Sequence, residues 1–194
     1  MKQLLISIFL ISATPLFSQK TFLTLQTGYS TLLHGTKKYY GYSKIQSYRL
    51  SFKFETENKF RGIGIDTEFK SMGANVLFGT KRIQRLSYFG ISPYFFIRKG
   101  RLKLNSGIYF AVLLKNKLKT NIIGTDIIYK RTDTGIELSP ECRLTTISGK
   151  SIYVNTLVNY SLLPIYTEGK GYLIPTGKNT KNFSILFGIS IRFS

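Results

Sequence analysis

The chain has almost none of the residues that build disulfide frameworks, metal sites or catalytic centres. Its 194 residues include one cysteine, one histidine and no tryptophan. Cys142 therefore has no partner for a disulfide within the chain, and one histidine with one cysteine provides no metal-ligand spacing. Cys142 shares the apolar side of an alternating stretch with Leu138 and Leu144, so we interpret it as a small hydrophobic residue. We predict no cofactor and no metal.

Long hydrophobic runs are also missing. No apolar stretch approaches the roughly 20 residues that a membrane-spanning helix requires. The first residues nevertheless have the features of a secretory signal, because Lys2 precedes an apolar stretch over residues 4–16 and small Ser18 follows it. We expect cleavage after Ser18, so residues 1–18 form a signal peptide and residues 19–194 form one mature domain. Export without a helical anchor leaves a soluble exported protein or a β-barrel.

What the sequence has in abundance is alternation of apolar and polar residues with a period of two. In the clearest stretch, every second residue from Phe183 to Phe193 is apolar. Eight such stretches predict strands over residues 21–31, 47–56, 60–70, 87–98, 102–115, 133–145, 151–162 and 182–193. Strands of about 10 to 12 residues are longer than the usual 5 or 6 of globular sheets and match the length of a bilayer crossing.

The connections between these strands alternate between short and long. We predict the short ones at residues 57–59, 99–101 and 148–150 and the long ones at 32–46, 71–86, 116–132 and 163–181. Each short connection carries Asn or Gly, as a tight turn with positive φ requires. Outward-facing aromatic residues cluster near both ends of the strands, as at the two interfaces of a membrane. The sequence therefore predicts an all-β fold, an eight-stranded antiparallel up-and-down transmembrane β-barrel, with both termini and the tight turns in the periplasm.

This pattern resembles the small eight-stranded outer-membrane barrels of the OmpA/OmpX type. It is more similar still to the outer-membrane β-barrel domain proteins, including the PorT-like group, common in Bacteroidota. The resemblance rests on the signal ending Phe17-Ser18-Gln19, the eight strands, and a last strand that closes in Ile191-Arg192-Phe193-Ser194. It implies a location in the cell outer membrane and insertion by the barrel-assembly machinery. It also implies that an aromatic residue near the C-terminus, here the penultimate Phe193, is the insertion signal.

Acidic residues are scarce. The chain has 28 Lys and Arg against 9 Asp and Glu, and its formal net charge is +19. The four predicted long loops hold thirteen basic and two acidic residues. Such a balance often indicates nucleic acid, but an exported barrel seldom meets it, so we predict no nucleic-acid partner. Either these loops are merely solvated, or they contact the phosphates and core sugars of lipopolysaccharide. For that contact we select Lys37, Lys38, Lys81, Arg82, Arg85, Lys117 and Lys119.

Charged residues also fall on the inner side of the predicted strands. They are Arg49, Lys53, Glu55, Asp66, Glu68, Lys70, Glu137, Glu141, Arg143 and Arg192. An eight-stranded lumen has room only for its own side chains, so we predict mutual neutralisation rather than acid–base catalysis. We expect the turn between the second and third predicted strands to be centred just after Glu57. Arg49 then lies opposite Asp66, and we predict that these two form a lumen ion pair.

His34 lies in the first long connection, at the end of the barrel where lipid A-modifying barrel enzymes carry a His–Ser–carboxylate site. No His–Ser spacing on one strand face accompanies it, so we interpret it as an exposed loop residue. The preferred function is therefore non-enzymatic: a structural, adhesion or surface-interaction role, with an additional protein partner left open. A lipid A-modifying enzyme is the second hypothesis. A narrow channel or an accessory part of a secretion apparatus is the third.

Overall fold

The computed structural model describes residues 18–33, 41–57, 60–78, 80–119, 126–170 and 180–193. These residues form eleven strands. In chain order they are β1 (Ser18–Leu33), β2 (Gly41–Ser43), β3 (Ile45–Glu57), β4 (Arg61–Phe78), β5 (Thr80–Lys99), β6 (Leu102–Lys119), β7 (Asp126–Tyr129), β8 (Thr132–Ile147), β9 (Lys150–Ser161), β10 (Tyr166–Lys170) and β11 (Lys181–Phe193). Within these ranges, no helix is long and apolar enough to cross a membrane.

Eight of the strands close into an antiparallel barrel. The order around the wall is β1, β3, β4, β5, β6, β8, β9 and β11, and β11 pairs back onto β1. The closing ladder runs from Thr21 opposite Phe193 to Leu33 opposite Lys181. Closure pairs the backbone of the first strand with that of the last, which is how a barrel removes the edges of a sheet. The predicted eight-stranded up-and-down barrel is confirmed.

Side chains alternate between a polar interior and an apolar exterior. On β11, Ser184 and Ser190 are fully buried, whereas Phe187 and Ile189 are 57% and 52% exposed. The exposed apolar side chains continue around the wall, and we call them the apolar belt; its members include Leu50, Phe52, Phe54, Ile63, Phe89, Phe95, Ile108, Phe110, Val112, Leu138 and Phe187. The polarity is therefore the reverse of that of a water-soluble protein, which buries its large apolar side chains.

Tight turns join the strands at one end, which we call the turn end. Ser148 and Gly149, between β8 and β9, both have positive φ values, 49° and 79°, as a type I′ turn requires. Gly100, between β5 and β6, also has a positive φ, 62°. These positions agree with the sequence prediction.

The predicted long loops are wrong in extent. β4 and β5 continue as a hairpin as far as Phe78 opposite Thr80, so most of the loop predicted at 71–86 is strand. β6 likewise continues to Lys119, and the short strands β2, β7 and β10 occupy other parts of the predicted loops. The strands extend because their inward positions stay apolar: Met72 and Leu86 are fully buried at the end opposite the turns, which we call the loop end.

Inward-facing aromatic rings fit into the barrel because glycine lies opposite them on the neighbouring strand. Tyr109 pairs with Gly135, and Tyr94 pairs with Gly64. A Cβ atom built at Gly135 would lie 2.4 Å from the Tyr109 ring, and one at Gly64 would lie 2.4 Å from the Tyr94 ring. Each ring therefore occupies the space that a side chain at the facing glycine would need.

We expect Gly135→Ala to destabilise the barrel by about 1–3 kcal/mol, the usual range for overpacking. The added Cβ would also lie 2.2 Å from the Tyr160 carbonyl oxygen. Strand propensity alone predicts the opposite sign, because Gly in a strand costs roughly 0.5–1 kcal/mol relative to Ala. Urea unfolding of the refolded protein, followed by gel mobility, measures the change. Ser106→Ala on the exposed outer face is the control, and an unchanged midpoint for Gly135→Ala would contradict this packing.

Candidate functional site

The lumen holds most of the acidic residues of the chain. Among the side chains that the structure describes, six acidic residues, of nine in the chain, and four basic residues are buried there. The buried carboxylates belong to Glu55, Asp66, Glu68, Asp133, Glu137 and Glu141, and the buried cations to Arg49, Lys53, Lys70 and Lys103. The large positive excess of the chain therefore lies outside these ten residues. Inside, charge is close to balance; outside, it is strongly basic.

Arg49 is the centre of the middle part of the lumen. Its Nη2 lies 2.6 Å from Asp66 Oδ2, and its Nε donates a hydrogen bond to Glu68 Oε2. Its Nη1 donates to Gln26 Oε1 at 2.9 Å. Lys70 completes the group, with its Nζ 2.6 Å from Glu68 Oε1. These charged side chains are 0–3% exposed, so each depends on its neighbours for the stabilisation that water would otherwise provide.

The structure brings Arg49 and Asp66 together, but through a different register from the predicted one. Arg49 is paired with Lys70, and Lys53 rather than Arg49 lies opposite Asp66. The turn is thus centred two residues later than predicted, and every pairing moves by four positions. Because this shift is even, each residue keeps its face of the sheet. The long Arg49 side chain reaches towards the turn end, past Glu68, to meet Asp66.

The register of β4 also satisfies its other neighbour, β5. It places Gly62 opposite Phe96 and Gly64 opposite Tyr94. A Cβ atom at Gly62 would lie 2.5 Å from the Phe96 ring, so these pairings match glycines with rings. The register predicted from the turn residues alone ignored this pairing of β4 with β5. The predicted register of β3 and β4 was wrong for that reason.

A second charged group lies nearer the turn end. Lys103 Nζ is 2.5 Å from Glu55 Oε1 and 2.8 Å from Glu141 Oε2. Lys53 pairs with the other oxygen of Glu141. Lys103 also lies 4.7 Å from the centre of the Phe22 ring, within the range of a cation–π contact. Lys103 is not among the predicted lumen charges, although its inward position in the alternation of β6 could have identified it.

Asp133 occupies the lumen near the loop end, and the sequence analysis missed it too. Its Oδ2 accepts hydrogen bonds from Tyr109 at 3.2 Å, Ser161 at 3.0 Å and Asn182 at 2.9 Å. An apolar cluster, which we call the cap, lies at this end of the barrel. Its members are Leu32, Ala74, Leu86, Tyr88, Tyr109, Ala111 and Ile165.

Ile165 is the member of the cap that comes from a connection rather than from the barrel wall. Its N–H donates to the Thr180 carbonyl at 2.9 Å, and its carbonyl accepts from Lys130 N–H at 2.8 Å. The chain between β9 and β10 is thus held over the barrel mouth by backbone hydrogen bonds on both sides. Ile165 is only 2% exposed, so it fills the mouth.

Side chains fill the lumen in the part of the chain that the structure describes. A small void beside Arg49, Lys53 and Glu137 has a volume of about 20 Å³, close to the space that one water molecule needs. In the same described ranges, no three His, Cys, Asp or Glu side chains are grouped as metal ligands would be. The arrangement neutralises the buried charge.

The residues predicted to contact lipopolysaccharide are distributed over two strands and an undescribed segment. Lys81, Arg82 and Arg85 lie on β5, and Lys117 and Lys119 lie on β6. The register places Arg85 directly opposite Lys117, so the structure brings these two together. Lys37 and Lys38 lie outside the described residues, as does His34.

Phe193, the predicted insertion signal, is the last residue of β11. It pairs with Thr21 of β1, and the Lys150 Nζ lies 5.6 Å from the centre of its ring. The ring is therefore at the turn end, on the seam that closes the barrel. Its role in insertion stays a prediction.

Comparison with known proteins supports the fold without assigning an activity. No protein-family model matches the chain, and no curated protein matches it. The solved structure of the outer membrane protein OprG from Pseudomonas aeruginosa is similar, with a TM-score of 0.58, 7% identity, and 91% of this chain and 96% of that one covered. Neisserial surface protein A is similar with a TM-score of 0.52, 9% identity, and coverage of 89% and 97%. Identities this low establish the shared barrel fold alone, and the narrower PorT-like resemblance stays a prediction.

The Arg49 cluster gives a direct test of the lumen. We expect Arg49→Gln to destabilise the protein by about 3–5 kcal/mol, because it leaves Asp66 with an uncompensated buried charge. The double variant Arg49→Gln/Asp66→Asn should lose less, since Glu68 keeps its contact with Lys70. Urea titration of the folded form in lipid vesicles measures both, with Lys99→Gln at an exposed turn position as the control. Purely additive losses would show that the two side chains are not coupled.

Proposed function

We propose that this chain is a non-enzymatic outer-membrane β-barrel with a structural, adhesion or surface-interaction role. The observation that supports it best is the reversed polarity of the closed wall, with buried ion pairs inside and the apolar belt outside. A hydrocarbon environment tolerates a wall of this kind only if its backbone is paired all the way round, and the ladder between β1 and β11 achieves this.

Aromatic residues on the outer face support the same environment. Tyr29, Tyr48 and Phe89 are exposed towards the loop end, and Phe54 and Phe95 towards the turn end. Two such groups, one at each end of an apolar belt, match the aromatic girdles of membrane barrels. We propose that the turn end and both termini face the periplasm, and that Phe193 assists insertion by the barrel-assembly machinery.

The extension of the strands at the loop end supports a contact role. From Phe89 to Thr80, β5 continues beyond the belt for roughly 30 Å of strand at about 3.3 Å per residue. β4 and β6 accompany it on either side, so a wall of paired strands extends beyond the belt. We propose that this wall, with its basic residues, carries the surface interactions of the protein, including contact with lipopolysaccharide.

The filled lumen favours this role over the channel hypothesis. We expect no single-channel conductance steps when the refolded protein is inserted into planar bilayers. The cap closes the loop end, and the clusters around Arg49 and Lys103 occupy the space below it. A porin of known conductance, inserted under the same conditions, controls for the bilayer. Reproducible steps from this protein would contradict a closed lumen.

Orientation can be tested by thiol labelling of intact cells that produce the protein. In a Cys142→Ala background, we expect Arg85→Cys to react with an impermeant maleimide, because Arg85 is exposed at the loop end. Lys99→Cys, exposed at the turn end, should react only after the outer membrane is disrupted. The reverse labelling pattern would overturn the proposed orientation.

A further inference from the structure

The outer face of β5 and β6 changes from apolar to cationic within four residues along each strand. Phe89 on β5 pairs with Val112 on β6, and both are about half exposed as members of the belt. Towards the loop end, the next charged residues with exposed side chains are Arg85 on β5 and Lys115 on β6. Cationic side chains thus begin where the apolar belt ends.

A β-bulge creates this change on β6. Tyr88 pairs with Leu113, but Ser87 pairs with Lys115, so Leu114 is an extra residue on its strand. Before the bulge, the odd-numbered residues of β6 face the lumen, as the buried Tyr109 shows. If Leu114 were paired in a regular ladder, the odd-numbered lysines would continue on that inward face. A bulge redirects the side chains that follow it, and here Leu114 and Lys115 are both exposed.

After the bulge, the basic residues of β6 pair with the outward residues of β5. Lys117 lies directly opposite Arg85, and Lys119 lies opposite Ile83. Arg85 and Ile83 are exposed, whereas Gln84 between them is buried. Like charges placed directly opposite each other destabilise a sheet, because such positions are only about 5 Å apart. The register therefore pairs two basic residues, and a bound anion would offset the repulsion expected at such a position.

Among the side chains that the structure describes on β4, β5, β6 and β8, no acidic one is exposed beside these cations. Residues 71–90 and 110–119 contain no acidic residue. On the adjacent β8, Asp133 is 1% exposed and faces the lumen, while Arg131, just before β8, is exposed and adds another cation. Arg131 is also close, because its carbonyl accepts a hydrogen bond from Leu113 N–H at 2.7 Å.

We propose that Arg85, Lys115 and Lys117, which we call the basic ladder, bind the phosphate groups of a membrane-lipid headgroup. Arginine forms paired hydrogen bonds with phosphate, and lysine supplies a compact charge. Successive outward positions on a strand are roughly 7 Å apart, a spacing that suits a headgroup carrying more than one phosphate. The acyl chains of the same lipid lie on Phe89, Val112 and Leu114. This continuity with the belt selects a lipid over a soluble polyanion, and the inference rests on the proposed membrane location.

Binding can be measured with the full-length refolded protein in non-ionic detergent. The probe is lipid A with two phosphates, titrated by isothermal calorimetry, and the comparison is lipid A with one phosphate. We expect Arg85→Gln/Lys115→Gln/Lys117→Gln to weaken binding of the two-phosphate lipid at least about tenfold, since charged hydrogen bonds contribute about 1.5–3 kcal/mol each. The matched control, Lys99→Gln/Arg101→Gln/Lys150→Gln, removes the same charge from exposed turn-end positions and should bind like the wild type.

Deletion of Leu114 tests the bulge without changing the charge of the protein. It removes the extra residue but leaves Lys115 opposite Ser87 and Lys117 opposite Arg85, so the basic residues stay on the outer face. We expect the deletion variant and Leu114→Ala to bind like the wild type, and loss of binding in a folded deletion variant would contradict this placement. Heat-modifiable gel mobility reports whether each variant folds. If the deletion variant does not fold, the triple Gln variant and its turn-end control still decide the proposal.

Three outcomes would overturn the proposal. One is unchanged binding in the triple Gln variant. The second is an equal loss in the turn-end control, which would show a response to net charge alone. The third is full competition by millimolar inorganic phosphate, which would indicate a free-phosphate site instead of a lipid headgroup. The proposed membrane location has a separate test, which is fractionation of cells that produce the protein. A protein absent from the outer-membrane fraction would contradict the proposed function. It would not affect the lipid binding measured in detergent, so the two failures can be distinguished.

Discussion

Closure of the sheet between β1 and β11 is the constraint on which the other features depend. Eight strands enclose a space that only side chains can fill, so the inner positions must be matched in size and charge. Size is matched by pairing rings with glycines, as in Tyr109 and Gly135. Charge is matched by ion pairs such as those of Arg49 and Lys103. The outer positions are then free to be apolar.

The neutralised interior leaves the positive charge of the chain to its other residues. Six of the nine carboxylates are buried inside with four cations, and these ten charges sum to −2. The formal net charge of +19 therefore belongs to the rest of the chain, where few carboxylates remain to offset it.

Local sequence signals predicted the strands and tight turns well, because alternation and turn chemistry are properties of neighbouring residues. These local signals failed for features that are determined by residues on a neighbouring strand. The turn after β3 is placed by glycines opposite Tyr94 and Phe96, and the outward position of Lys115 depends on a bulge against β5. The predicted loop at 71–86 failed for a related reason, since its inward residues, such as Met72 and Leu86, are buried at the loop end. Alternation along β6 and β8 would have identified Lys103 and Asp133 as inward-facing residues. Their contacts could not be predicted in the same way, because the partners lie on other strands.

The cap and the ionic layers below it act as barriers in series. Losing one apolar side chain at the mouth, such as Ile165, would uncover Asp133 and its hydrogen-bonded neighbours rather than open a passage. Losing one ion pair deeper in the barrel would leave the mouth covered. Within the described residues, the lumen is thus occupied by two layers of different chemical kinds. A single substitution in either layer leaves the other in place, so we expect it to weaken folding rather than to open the lumen.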